Sequence, residues 1–412
     1  MDVKSSKMSK YDEITHVTFY KVYSGELYLP RVVGILLLKD LLGNFFKTKN
    51  YLPFSIKFTG TLRDYQIPVV DNCLSHLKSS GTVTIEVPPA SGKTIIACKL
   101  SSELGLLTAV IVPREIIARQ WVKSFGEKTD AKIWMVGEEM PEVFDVIVCM
   151  KERYEKINPN VRERVGTLII DEAHMFCTPE SVGILLCFSP LYIIAETAGL
   201  RRKNGLHVMI QSIVGNHVVD GIPLKKFKVY KINLPFKGVR ERNTKGGVKW
   251  SSLMQSVLYN PERDKVITEI IHNQISKHGK KFIVLTSETK HVGLLNGKFK
   301  EKGLKTDFMA GRKSEYYEGD VLVGNIPKIG TGFDESNSCK DFSGIPANCL
   351  AIVSSIKYDQ LLLQCVGRCL RSDNPIVFHF VDEDSIISKH WQECEKWYKS
   401  KEMEILDFNP NS

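Results

Sequence analysis

The run Thr167-Leu168-Ile169-Ile170 leads straight into Asp171-Glu172-Ala173-His174, and this junction constrains the chain more than any other feature. A short run without charge reads as a strand buried on both faces, the mark of a parallel sheet covered by helices. Two carboxylates at its C-terminal end stand where open α/β sheets place their ligands. A related junction comes earlier. The β-branched run Thr82–Val87 precedes Pro88-Pro89-Ala90-Ser91-Gly92-Lys93-Thr94, and a helix-like stretch, Ile95–Leu104, follows. Strand, loop and helix in this order aim backbone N–H groups and a helix N-terminus at phosphate.

In that setting Ala90, Ser91 and Gly92 cradle the phosphates, Lys93 reaches the outer ones, and the Thr94 hydroxyl binds Mg²⁺. The strict pattern is not met, because Val87 stands where a first glycine is expected. Asp171 is the expected Mg²⁺ carboxylate and Glu172 the general base for an attacking water. Late in the chain, Gln364-Cys365-Val366-Gly367-Arg368-Cys369-Leu370-Arg371 brings two arginines spaced to meet a nucleoside triphosphate from the other side.

Taken together, residues 58 to 380 resemble a superfamily-two helicase or translocase of the DEAH type. Leu62-Arg63-Asp64-Tyr65-Gln66 resembles the adenine-reading segment, which implies nucleotide contacts from Arg63 and Gln66. Val110-Ile111-Val112-Pro113-Arg114, followed by Gln120-Trp121, resembles motif Ia, which implies that Pro113 and Arg114 touch a nucleic-acid backbone. Glu196-Thr197-Ala198-Gly199 with Arg201 and Gly205 resembles motif III. Lys281–Ser287 resembles motif IV and implies phosphate contacts from Thr286 and Ser287. Gly330-Thr331-Gly332-Phe333-Asp334 resembles motif V, with Thr331 near nucleic-acid phosphate and Asp334 near the ribose.

The run Gln364–Arg371 resembles motif VI. It implies Gln364 near the nucleotide and Arg368 and Arg371 as arginine fingers, a role worth about 10³–10⁵ in rate in related NTPases. His174 is implied to couple nucleotide to a neighbouring domain. Some positions depart from the family: Ala90 stands where glycine is frequent, Gly199 replaces the second Thr of motif III, Asn325 a Thr before motif V, and Cys365 an Arg of motif VI. Leu27-Tyr28-Leu29-Pro30-Arg31 ahead of a compact core resembles helicases of large nucleocytoplasmic DNA viruses, of the poxvirus transcript-release type. That implies a setting in viral transcription or repair.

The remaining composition fits. With 412 residues the chain has room for two or three domains. A net charge of +9 favours a polyanionic partner. Ten cysteines include no CxxC pair, which argues against a zinc ribbon, and their scatter through apolar segments points to a reduced cytoplasmic or nuclear setting; packaging in a virion is implied by the viral resemblance alone. The first ten residues lack the apolar region of a signal peptide. The run Val32–Leu42 carries Lys39 and Asp40, is too short to span a bilayer, and reads as a buried helix.

The expected architecture is two tandem RecA-like parallel-sheet α/β domains with a small N-terminal module. Residues 1–57 form that module, 58–235 the first ATP-binding domain, 236–260 a basic connector, and 261–412 the second domain with a helical tail. Strands are predicted at Val83–Val87, Ala109–Val112, Val146–Cys149, Leu168–Asp171 and Tyr192–Ala195, then at Phe282–Leu285, Val321–Val323, Leu350–Val353 and Ile376–Phe380. The connector's Lys237, Arg240, Arg242, Lys245 and Lys249 lie among glycines and read as a mobile loop reaching nucleic acid, or as a solvated hinge. The function expected is an ATP- and Mg²⁺-dependent DNA helicase or duplex translocase, a monomer without membrane contact. An RNA helicase and a non-motor P-loop ATPase are the competing readings.

Overall fold

The computed structural model describes residues 20–23, 25–42, 51, 53–199, 207–242, 246–329 and 333–408. The chain divides into two compact units, 1–223 and 224–412.

The first unit opens with a two-stranded antiparallel hairpin, β1 (Lys21–Tyr23) and β2 (Glu26–Tyr28), and a helix, Arg31–Leu42. Seven parallel strands follow: β3 (Thr82–Glu86), β4 (Thr108–Val112), β5 (Ile133–Met135), β6 (Val146–Met150), β7 (Thr167–Ile170), β8 (Tyr192–Thr197) and β9 (Val218–Val219). Their order across the sheet is β5-β6-β4-β7-β8-β3-β9. Alternation along each strand explains why so few carry a charge. In β7, Leu168 and Ile170 join the core on one face and Ile169 the core on the other. Each such fully buried side chain contributes about 1.5–3 kcal/mol relative to exposure.

The second unit contains β10 (Lys228–Leu234), β11 (Phe282–Thr286), β12 (Thr306–Met309), β13 (Val321–Asn325), β14 (Cys349–Ile352), β15 (Ile376–Asp382) and β16 (Glu404–Asp407). They form a second all-parallel sheet, β12-β13-β11-β14-β15-β10-β16. Numbered within its own unit, each sheet has the same order: third, fourth, second, fifth, sixth, first, seventh. By this correspondence β10 matches the P-loop strand β3, β11 matches β4, and β14 matches β7.

Every strand predicted from sequence is present. Three expectations are corrected. Lys228–Leu234, placed at the end of the first domain, is a strand of the second sheet, in parallel register with β15 and β16. The stretch 236–260 is not a free connector. Arg240 makes two hydrogen bonds to Asp384, Lys237 lies 3.6 Å from Glu383, Lys249 lies 3.4 Å from Glu241, and Trp250–Leu258 is a helix. Lys237, Arg240 and Lys249 each face an acid of their own unit, Arg242 bridges Val248 through its backbone, and Lys245 lies outside the described residues. The N-terminal helix, expected to be buried, leaves Leu36 and Leu37 about 70% exposed. Among the described residues no helix is long and apolar enough to cross a membrane.

The second sheet is fastened by an ion pair inside its core. Arg263 is fully buried; its Nε and Nη2 donate to the two oxygens of Asp382 at 2.7 and 3.0 Å, and Nη2 also donates to the Val353 carbonyl. Removing one partner strands a charge in low dielectric, which costs about 3–5 kcal/mol. Asp382→Ala is therefore expected to lower the unfolding free energy of the second unit, and with it the urea midpoint, by that margin. A change under about 1 kcal/mol in equilibrium denaturation would contradict this account.

Candidate ATPase site and motif placement

Strand β3 delivers the loop Val87–Gly92 to the N-terminus of the helix Lys93–Leu104. The turn requires two left-handed residues in close succession: Ala90 at φ 63° and Gly92 at φ 81°. At Gly92 a Cβ would approach Nε2 of Gln66 to 2.4 Å, so only glycine admits that side chain. Gln66 is buried, donates from Nε2 to the Ser91 carbonyl at 2.8 Å, and accepts from the Arg63 amide at 2.9 Å. The segment Leu62–Gln66, expected to read adenine, is thus bonded to the loop Val87–Gly92. Arg63 itself is exposed and donates to the Tyr65 hydroxyl. Ser91 is buried and Thr94 half-buried at the helix start. The Lys93 ammonium folds back onto the carbonyls of Val87 and Pro88 at 3.1 and 3.5 Å.

Strands β7 and β8 lie between β3 and β4 and end beside this loop. Asp171 follows β7 and is 8% exposed. Its Oδ1 accepts from the Glu172 amide and its Oδ2 from the Trp121 indole, both at 2.7 Å. Burial, then the neighbouring Glu172, push its carboxyl up to about 6, against the pull of Trp121 and Lys93. Glu172 adopts φ 50°, a left-handed conformation that a side chain occupies only when its surroundings impose it. Its Oε2 is buried without a hydrogen bond, 3.3 Å from His174 Nδ1. His174 in turn shares a hydrogen bond with the Thr197 hydroxyl at 3.2 Å, tying the DEAH segment to the end of β8. Glu196 on β8 is fully buried, and both its carboxylate oxygens lack partners. Burial, then Asp171, raise its pKa well above the usual range, while Lys93 pulls the other way.

Lys93, Asp171 and Glu172, named from sequence, are thus joined by two residues whose part was not anticipated. Glu196 is the first; an acid inside an otherwise apolar strand was the available signal. Trp121 is the second. It belongs to the segment expected to face nucleic acid, but it is 1% exposed and bonded to Asp171.

Pro113 is buried and Arg114 half-buried, at the C-terminal end of β4. Thr286 and Ser287 hold the matching position after β11. Thr286 is a correction: it is fully buried, its hydroxyl bonded to His291 Nδ1 at 2.7 Å and Ser354 Oγ at 3.1 Å, which leaves no surface for a phosphate. Ser287 is half-buried, and its hydroxyl lacks a partner. Thr331, Arg201 and Gly205 lie outside the described residues.

In the second unit, Arg371 Nη2 pairs with Asp334 Oδ2 at 2.6 Å. Arg368 donates to the Phe333 and Gln364 carbonyls, and Gln364 is buried. Both motif VI arginines therefore rest on motif V or on their own helix. Burial favours the neutral form of Asp334, but Arg371 and then the Ser336 hydroxyl outweigh it and hold the carboxyl below its usual range. Cys365 and Cys369 are buried, and burial pushes the Cys365 thiol up to about 12, so both pack as small apolar groups.

A phosphate loop at a helix start, with buried carboxylates at the ends of two neighbouring parallel strands, defines a P-loop nucleoside triphosphatase unit. Residues 59–202 match the family described as the res subunit of type III restriction enzymes. A putative helicase of Invertebrate iridescent virus 6 is 26% identical over 389 residues, covering 85% of this chain and 84% of the relative. A putative helicase of Frog virus 3 is 27% identical over 348 residues, at 82% and 77% coverage. A protein of Acanthamoeba polyphaga mimivirus named a putative ATP-dependent RNA helicase is 23% identical over 377 residues, at 84% and 69% coverage. The chain resembles the superfamily-two helicases of large DNA viruses: it is an ATP-hydrolysing enzyme that works on nucleic acid.

Ala90 is the one non-glycine in the left-handed turn of the phosphate loop. That conformation costs a side-chain residue roughly 1–2 kcal/mol, and the greater freedom of glycine in the unfolded chain returns about 0.5–1 kcal/mol of it. Ala90→Gly is therefore expected to leave the melting temperature unchanged or raise it slightly. A fall of several degrees in a thermal melt would show that the alanine methyl has a packing role.

Proposed function

We propose that the chain is an ATP-driven DNA helicase or double-strand DNA translocase. The observation that carries the catalytic half of this reading is the set of Asp171, Glu172 and Glu196 around Lys93, with three of their carboxylate oxygens buried and unpartnered. Buried charges of one sign persist only if a counter-charge completes them. Such a donor set, all oxygen and beside a phosphate loop, fits Mg²⁺ carried in with a nucleotide.

Thr94 and Asp171 are the residues that would hold Mg²⁺, whose charge there would offset that of the phosphates. Lys93 leaves the Val87 and Pro88 carbonyls for the outer phosphates, exchanging neutral acceptors for charged ones. The helix start beneath Ser91 and Gly92 supplies N–H donors to the same oxygens. Glu172 orients the attacking water and takes its proton, and the left-handed backbone sets the direction of that carboxylate. Gln66 fixes the loop from below, and Arg63 lies at the surface beside it. Arg368 and Arg371 stabilise charge on the transferring group. Arg371 reaches a phosphate only by leaving Asp334, and the same exchange frees Asp334 for the ribose. Arg114, Ser287 and Thr331 grip the nucleic-acid backbone, from the ends of matching strands in the case of Arg114 and Ser287. Of the two hydroxyls expected at this contact, Thr286 and Ser287, only Ser287 retains the part.

DNA is preferred over RNA because the matching family is named for a restriction enzyme and the net charge of +9 suits a polyanion of either kind. The mimivirus relative's name favours RNA, so the preference is decided by activation. ATP turnover is expected to rise with duplex or single-stranded DNA and to respond more weakly to RNA of equal length. Stronger stimulation by RNA would reverse the assignment, and no stimulation by any nucleic acid would leave a non-motor ATPase.

The chemistry has a separate test. Lys93→Ala is expected to abolish turnover and weaken nucleotide binding. Glu172→Gln should abolish turnover while nucleotide still binds, because it removes a base and keeps the shape of the side chain. Wild-type turnover by either variant in a phosphate-release assay would refute the assignment.

A further inference from the structure

We infer that Trp121 is a positioning residue of the ATPase site: its indole N–H fixes the Asp171 carboxylate in the orientation that receives Mg²⁺. This deepens the catalytic reading above and rests on it. Trp121 lies on the helix Glu115–Lys128, which turns Ile117, Ala118, Trp121 and Phe125 into the core. Any large apolar ring would fill that place. Tryptophan adds one donor, and at 1% exposure that donor must find an acceptor. It finds Asp171 Oδ2 at 2.7 Å, while Oδ1 takes the Glu172 amide at the same distance.

One donor on each oxygen restrains rotation of the carboxylate. Each oxygen keeps a further lone pair for a metal ion or its water. The restraint matters because Glu172 and Glu196 lie close by with unpartnered oxygens and would repel a freely turning carboxylate. Groups that orient a metal ligand in this way commonly change metal affinity about 10–100-fold when removed. No other side chain among the described residues donates a hydrogen bond to Asp171.

Trp121→Phe removes the N–H and keeps a ring beside Phe125, whose centroid lies 5.8 Å from that of Trp121. The Mg²⁺ concentration for half-maximal ATP turnover is expected to rise about 10-fold or more. Turnover at saturating Mg²⁺ should fall by a smaller factor than that rise. A residue that only fills space would lower the melting temperature without moving the Mg²⁺ requirement. The contact is also read without metal or turnover. The chain has five tryptophans, so the nitrogen-labelled protein gives five indole N–H signals. Asp171→Asn is expected to shift one of them strongly and leave the others nearly in place.

An unchanged Mg²⁺ requirement in Trp121→Phe, beside an inactive Asp171→Asn, overturns this inference alone. So does the absence of any indole shift, which decides the matter if Trp121→Phe fails to fold. Full activity in Asp171→Asn would remove the catalytic reading and this inference with it.

Discussion

The catalytic end of the first unit depends on the balance of charge around Lys93. One ammonium faces three carboxylates, and burial works against ionisation of at least two. Asp171 is pushed up to about 6 and Glu196 further. At an effective dielectric near 20, two like charges about 4 Å apart cost about 4 kcal/mol. The arrangement is therefore poorly satisfied by the chain's own groups. It is suited to an added cation on one side and phosphate on the other. The left-handed backbone at Ala90 and Glu172 belongs to the same pattern, because local strain collects where the surrounding fold dictates side-chain direction.

The second sheet repeats the strand order of the first and reverses its electrostatics. Val353 follows β14 as Asp171 follows β7: the Val353 amide donates to the Leu285 carbonyl, as the Asp171 amide donates to that of Ile111. At this matched edge the polar side chains are tied to one another. Asp264 holds His291 at 2.8 Å, His291 holds Thr286, and Thr286 meets Ser354, all buried. Arg263 and Asp382 close the neighbouring gap. One topology thus serves two purposes. In the first unit the ends of the strands keep carboxyl oxygens without a hydrogen bond. In the second, Asp264, His291, Thr286 and Ser354 satisfy one another, and Arg263 is paired although its Nη1 is left without a hydrogen bond, which makes a firm support for the loops after β11 and β14.

This difference also decides what the sequence could reveal. Strands such as Val146–Met150 and Phe282–Thr286 are buried on both faces, so their composition announces them. Lys228–Leu234 carries two lysines and an asparagine because its neighbour β16 covers only part of it, and several of its residues reach solvent. Charge in the strand concealed it, and the boundary was drawn too late. The phosphate loop and DEAH segment were legible because their chemistry is local: a few adjacent residues define the shape. Trp121 and Thr286 were misread because their partners are distant or hidden. Asp171 lies fifty positions from Trp121, and nothing in the order of residues says that a hydroxyl after β11 turns inward to a histidine. The basic stretch failed for a related reason. Its acids, Glu383 and Asp384, come from a segment far along the chain.

Two arginines of the second unit are each paired with an aspartate, and burial separates their roles. Arg263 has no exposed surface and Asp382 almost none, so opening that pair would leave two charges in the core. Arg371 is about a third exposed and Asp334 a fifth. Water already solvates part of that pair, and a contact of this kind is worth on the order of 0–1 kcal/mol. A multiply charged phosphate offers Arg371 a stronger partner at little cost. The same guanidinium chemistry is structural at one site and exchangeable at the other. The exposed pair is the one in the segments that resemble motifs V and VI, and its exposure is what the proposed release of Arg371 from Asp334 calls for.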